Sequence, residues 1–240
     1  MPFVAKKTGG YGYGTTEGKN NIKMINGFLN QYQITLEAQA GIIGNIISES
    51  GLNPWRWQSN NSTPSKGYGF FQYTPGSRYT ENTAPAALLG YGPSKSVLYA
   101  TPGETPDDGW AQLLTLVENT LHNWTVAVWR SYWDTTQYSQ LYQMTLDIKS
   151  TWAGPDGNLQ MSEFFQINNI TDATIAFMAC YEGPRVPNWQ NRVSNAQSIF
   201  NQLSLTTPPE PPGSTPTSQD KIKWIYYLRP LWWNTLQNRR

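Results

Sequence analysis

Apolar residues recur along most of this chain with a helical period. Ile22, Ile25, Phe28 and Leu29 predict a first helix over residues 16–32. Ala38, Ile42, Ile43, Ile46 and Ile47 predict a second, with Thr35 as its N-cap, Glu37 in its first turn, Gly51 as its stop and Pro54 just beyond. Trp110, Leu113, Leu114, Val117 and Leu121 mark a helix over 109–124, and the aromatic and aliphatic positions of 125–150 read as two short helices. Asp156-Gly157 marks a turn, and Ser162 to Phe165 opens another short helix. Thr171 or Asp172 caps a helix through Ala173, Ile175, Ala176, Phe177 and Ala179, which Gly183-Pro184 terminates. A last helix over about 188–203 buries Trp189, Val193, Ala196, Ile199 and Phe200. The exception lies at Phe70 to Tyr73, which suits a short strand after the permissive Gly67 and Gly69.

The second helix organises the rest. Gly41 and Gly44 lie three apart inside it and lower its intrinsic propensity, so close backbone packing is expected there. It ends on one acid, Glu49, after an apolar run. At the carboxyl end of a helix, with poor solvation, both the dipole and desolvation disfavour a negative charge. A carboxylic acid held neutral there can donate a proton to a leaving oxygen. The alternative is an ordinary exposed glutamate at a helix end. Downstream, residues 52–66 are polar with Trp55 and Trp57 among them, followed by Gly67-Tyr-Gly-Phe-Phe-Gln-Tyr-Thr-Pro75. An acid-tipped helix, a polar aromatic loop and a Gly-aromatic-Gln strand together would wall a sugar cleft.

Three blocks occur in order: Gly44-Asn-x-x-x-Glu49-Ser-x-x-Asn-Pro54, Gly67 to Pro75, and Phe177-Met-Ala-Cys-Tyr-Glu-Gly-Pro184 with Asn188-Trp-Gln-x-Arg192 after it. Together they resemble the phage tail-tip lysozyme domain of the tail knobs of short-tailed phages, over roughly residues 20–205. The resemblance implies an α+β, predominantly α-helical, lysozyme-like domain with a small antiparallel sheet. It implies a peptidoglycan substrate, a β-1,4 link between N-acetylmuramic acid and N-acetylglucosamine, and a virion protein that opens the cell wall during DNA entry. It also brings Tyr181 to the cleft beside the acid. Lytic transglycosylases, more distantly similar, commonly have Asn after that Tyr, whereas this chain has Glu182.

Glycosidic cleavage needs an acid at the leaving oxygen and a means of stabilising positive charge at the anomeric carbon. Glu49 is expected to supply the first, with Ile46, Ile47 and Phe71 excluding water. Glu182 is the candidate second carboxylate, although Arg185 or Arg192 would equally make it a plain helix-end ion pair. Asp107, Asp108 and Glu81 lie in loops that reach either the site or solvent. A single-acid mechanism, with the substrate's own N-acetyl or 6-hydroxyl group attacking, stays open, and the hydroxyl route would define a lytic transglycosylase. Gln72 and Tyr181 are the expected substrate-positioning residues, and Trp55, Trp57 and Tyr73 the expected sugar-stacking ones. A non-catalytic tail or wall-binding subunit on the same fold is the remaining alternative.

Composition narrows this picture only at its edges. Net charge is +1, which indicates neither nucleic acid nor an anionic membrane. The 11 Trp, 14 Tyr and 8 Phe agree with a glycan substrate but also with an aromatic core. The single Cys180 allows no internal disulfide and reads as a core residue, and the single His122 excludes a histidine-rich zinc site, so no metal or other cofactor is expected. Met-Pro-Phe-Val-Ala-Lys-Lys is no signal peptide, and no run approaches a membrane span, so delivery by a virion is expected. Residues 1–15 read as an extended arm, 16–205 as the catalytic domain, and 206–219 as a Pro/Ser/Thr-rich linker. Residues 220–240 are basic and strongly aromatic. They are expected to anchor onto other tail subunits, against the alternatives of an interfacial membrane segment or the first part of a further domain.

Overall fold

A computed structural model of the chain describes residues 3–63, 65–73, 108–118, 133 and 136–206. The expectations for Glu81, Asp107, His122, most of the 76–108 stretch, the first of the two short helices in 125–150, the linker and the aromatic-basic segment 220–240 lie outside those residues. The described elements are α1 (Thr16–Leu29), α2 (Leu36–Ser50), α3 (Asp108–Glu118), α4 (Ser139–Trp152), α5 (Met161–Phe164), α6 (Ile170–Phe177) and α7 (Trp189–Thr206). The predominantly helical expectation is met, with two boundary corrections. The first helix gives way to a 3-10 turn at Asn30–Tyr32. Asp108, expected in a loop, is the first residue of α3.

The axis of the fold is α2. The Thr35 hydroxyl accepts from the Ala38 amide at 3.2 Å, and Gly51 closes the helix with φ 57°, its N–H donating to the Ile47 carbonyl at 2.9 Å. Thr35 also donates to the Ile167 carbonyl, which ties the helix start to the segment between α5 and α6. Ala38, Ala40, Ile42, Ile43 and Ile46 are all fully buried. The glycines do what their position predicts. A Cβ on Gly41 would stand 2.9 Å from the backbone of Ala173 and Thr174, and one on Gly44 would stand 2.8 Å from Ala196. Thus α6 and α7 each cross α2 at a glycine, backbone against backbone, and α6 is the principal neighbour of α2. The cap of α6 is Asn169, not Thr171 or Asp172: its side chain accepts from the Asp172 amide at 3.0 Å. The Asp172 carboxylate accepts instead from the Trp152 indole at 2.9 Å.

The expected antiparallel sheet is replaced, among the described residues, by two isolated bridges, Trp57 with Tyr68 and Tyr68 with Tyr73. The physical reason is local. Gly69 has φ 83° and Gln72 φ 48°, so the chain reverses between Tyr68 and Tyr73 instead of running straight. The turn drives Phe70 and Phe71 into the core. Gln112 of α3 anchors it, accepting from the Phe70 amide at 2.5 Å and donating to the Pro54 carbonyl at 3.1 Å.

The N-terminal arm lies against the domain. The Asn21 amide donates to the carbonyls of Val4 (2.7 Å) and Leu52 (2.8 Å). The Asn53 amide donates to Lys6 (2.8 Å) and Gly9 (2.7 Å). Tyr11 donates its N–H to the Gly51 carbonyl at 2.6 Å, and Gly10 sits against Gly51 backbone to backbone. The arm thus packs directly on the C-terminal cap of α2, two residues beyond Glu49.

Candidate active site

Three segments converge where α2 ends. The first is the C-terminal half of α2, carrying Asn45 and, in its last turn, Glu49. The second is a π-helical turn, Met178–Glu182, that continues α6 and ends on Gly183 with φ 57°. The third is the first turn of α7, carrying Arg192. A π turn widens the helix by one residue and is frequent at functional sites. Here it falls on Tyr181 and Glu182.

Arg192 is nearly fully buried at 4% exposure, and each of its nitrogens has its own acceptor. Nε donates to the Pro187 carbonyl at 2.9 Å, Nη1 to Asn45 Oδ1 at 2.8 Å, and Nη2 to Glu49 Oε1. The last contact is an ion pair with the Glu49 side chain 18% exposed. Asn45 is itself fixed, its amide donating to the Gly41 carbonyl at 2.8 Å and the Thr174 carbonyl at 3.0 Å. A buried polar chain therefore runs from α6 through Asn45 and Arg192 to Glu49.

Glu182 occupies a different environment. Its Oε1 is sealed from solvent and has no hydrogen-bond partner. Burial first, and the neighbouring Glu49 charge second, push its carboxyl well above the ordinary carboxylate range, with Arg192 opposing in part. This corrects two expectations. The apolar surroundings thought to keep Glu49 neutral hold a guanidinium instead, and Arg192 pairs with Glu49, not with Glu182. The acid whose carboxyl burial raises is Glu182.

The aromatic residues extend from this pair. Tyr181 stacks on Phe177 with centroids 4.9 Å apart and meets Phe71 edge-on at 5.3 Å. Its hydroxyl lies 3.3 Å from that of Tyr73. Burial and Glu182 raise both phenols above their usual value. Trp57 is buried against Tyr68, with centroids 4.7 Å apart, while Trp55 is half-buried. The Tyr68 hydroxyl donates to Asp108, a fully buried carboxylate, at 2.5 Å. Gln72 donates its amide to the carbonyls of Arg56 and Gly69, each at 2.9 Å, and so fastens the turn it belongs to. Cys180 lies in the π turn, and burial pushes its thiol up to about 12, far from the reactivity of a nucleophile. Among the described residues no group of three or more His, Cys, Asp or Glu side chains could hold a metal ion.

Glu49, Glu182, Tyr181 and Tyr73 are thus brought together. Gln72, Trp57 and Asp108 serve the loop and core beside them. Sequence reasoning gave no role to Asn45 and considered Arg192 only as a partner for Glu182. The signal for both was present: Arg192 shares the helical face of Ala196, Ile199 and Leu203, and Asn45 interrupts an apolar run. A polar group on a buried face demands a partner.

Two carboxyls in unlike environments thus meet at a helix crossing of a helical domain. Residues 19–203 match the sequence model of the phage tail lysozyme family. The chain therefore belongs to that family, whose function is lysozyme-like degradation of peptidoglycan in the setting of a phage tail. No described helix is long and apolar enough to cross a membrane.

Proposed function

We propose that the protein is a muramidase that cuts the β-1,4 bond between N-acetylmuramic acid and N-acetylglucosamine, with Glu49 as the general acid and Glu182 as the second carboxyl of the site. The observation that carries this reading is the unlike placement of the two carboxyls. Pairs of acids whose surroundings push their protonation apart divide acid and base work between them. Glu49, the partly exposed member, protonates the bridging oxygen. The Glu49 carboxylate that this leaves, beside Arg192 and Glu182, then faces the positive charge that develops at the anomeric carbon. Tyr181, with Tyr73 behind it, lines the same cleft for the sugar, with Trp55 as the more open stacking surface. In the virion this activity opens the wall locally for DNA entry, and residues 220–240 dock the enzyme onto neighbouring tail subunits.

Turbidity clearing of bacterial sacculi by Glu49→Gln and Glu182→Gln tests this. A general acid contributes about 10²–10⁴-fold, so each variant is expected to lose about that much rate with its fold intact. Undiminished clearing by both refutes the paired-carboxyl site. Mass spectrometry of the digest is expected to find reducing N-acetylmuramic acid ends. Anhydro ends would make the enzyme a lytic transglycosylase, and no cleavage at all a binding subunit.

A further inference from the structure

The chemistry above uses Glu49 and Glu182, gives Arg192 only a share of the charge balance, and leaves Asn45 without a task. A lone ion pair on a surface would need none, because such pairs are worth little. This one is different in construction. The guanidinium is buried, all three of its nitrogens are engaged, and its three acceptors come from three places in the fold: the Pro187 carbonyl before α7, Asn45 in mid-α2, and Glu49 at the end of α2. A planar fork with three fixed partners has one orientation, which an ammonium on a flexible stem cannot reproduce. Asn45 is held in turn by two carbonyls, one of them from α6, the helix that leads into the Tyr181–Glu182 turn. The backbone contact of Gly44 with Ala196, one helical turn beyond Arg192, fixes the distance between the two helices that bear this pair.

We propose that Arg192 is the positioning residue of this site, oriented by Asn45: its fork holds the Glu49 carboxylate in one place beside Glu182 and supplies the positive charge that lets two carboxyls share the cleft. The inference rests on the muramidase reading and deepens it. Among the described residues the ionisable groups facing the pair are few. Glu49 comes from α2, Glu182 and Tyr181 from the π turn, Tyr73 from the end of the Tyr68–Tyr73 reversal, and Arg192 from α7. Both phenols stay neutral across the working range, so among the described residues Arg192 is the cation that faces the two acids.

Two roles follow, and two variants separate them. Arg192→Gln removes the charge. Without it Glu182 gives up its proton less readily, so the limb of the pH–kcat/KM profile that Glu182 sets moves to higher pH, by about one unit, the shift expected when a carboxyl loses a nearby guanidinium. Arg192→Lys keeps the charge but not the fork. Its profile stays where the wild-type profile lies, while kcat falls about tenfold or more because Glu49 is no longer fixed. A residue that served folding alone would lower the amount of active enzyme in both variants and leave both profiles in place. Thermal melts and circular dichroism accompany each assay. Should Arg192→Gln not fold, Arg192→Lys carries the test: a wild-type kcat in that variant overturns the positioning role. An active wild-type enzyme with an unmoved Arg192→Gln profile overturns the charge role. The enzymatic reading fails separately, if wild-type protein releases no muropeptides.

Discussion

Replacing Gly44 by alanine tests the packing on which the site depends. Alanine is the better helix former by about 1 kcal/mol, so propensity alone predicts a more stable protein. The structure predicts the reverse. The added Cβ would stand 2.8 Å from both Cβ and N of Ala196 and 2.9 Å from its Cα. The obstacle is backbone, so no rotamer change relieves it, and α2 and α7 must move apart by several tenths of an ångström. Overpacking of this kind costs about 1–3 kcal/mol, which leaves the variant destabilised by up to about 2 kcal/mol after the propensity gain. For a domain of this size that lowers Tm by up to about 8 °C. Gly27, in α1, is the internal control. A Cβ there meets nothing within 4 Å, so Gly27→Ala should raise Tm by about 2–4 °C for a gain of up to about 1 kcal/mol. Scanning calorimetry on both variants, with sacculus clearing alongside, decides the matter. Gly44→Ala is expected to lose rate as well as stability, because the same displacement separates Arg192 from Glu49. A Gly44→Ala variant that matches Gly27→Ala in Tm would refute the crossing as described.

The raised carboxyl of Glu182 makes a linkage prediction. An acid whose folded-state value is raised stabilises the fold fully below its unfolded value of about 4.5, and that contribution is lost as pH climbs towards the folded value. Wild-type Tm should therefore fall relative to Glu182→Gln as pH rises from about 4.5 to 8. Parallel Tm–pH curves for the two proteins would contradict the burial of that group. Asn53 makes the third case. Its side chain donates to Lys6 and Gly9 and accepts from the amides of Lys6 (3.3 Å) and Trp55 (3.1 Å). Asn53→Ala should cost about 1–3 kcal/mol and free the arm, which trypsin would report as faster cleavage after Lys6 and Lys7. Unchanged cleavage would mean that other contacts hold the arm.

Periodicity alone placed α1, α2, α6 and α7 within a few residues of their observed limits, because each buries a stripe of Ile, Leu, Ala or Phe that only a helical repeat aligns. Thr35, Gly51 and Gly183 punctuated those helices from local chemistry that needs no partner. The glycine pair in α2 announced a close crossing, and the acids at 49 and 182 announced themselves as candidates. What the sequence could not decide was which group stands next to which. Residue 49 meets residue 192 across 143 positions of chain, and no local rule selects that partner over Glu182, which lies ten residues from Arg192. The surroundings of the two acids follow from that choice: a guanidinium stands beside Glu49, while Glu182 has a carboxylate oxygen sealed from solvent. The strand at Phe70 to Tyr73 misled for the complementary reason: its composition favours an extended run, but burying both Phe70 and Phe71 required a tight reversal, and core packing outweighed propensity.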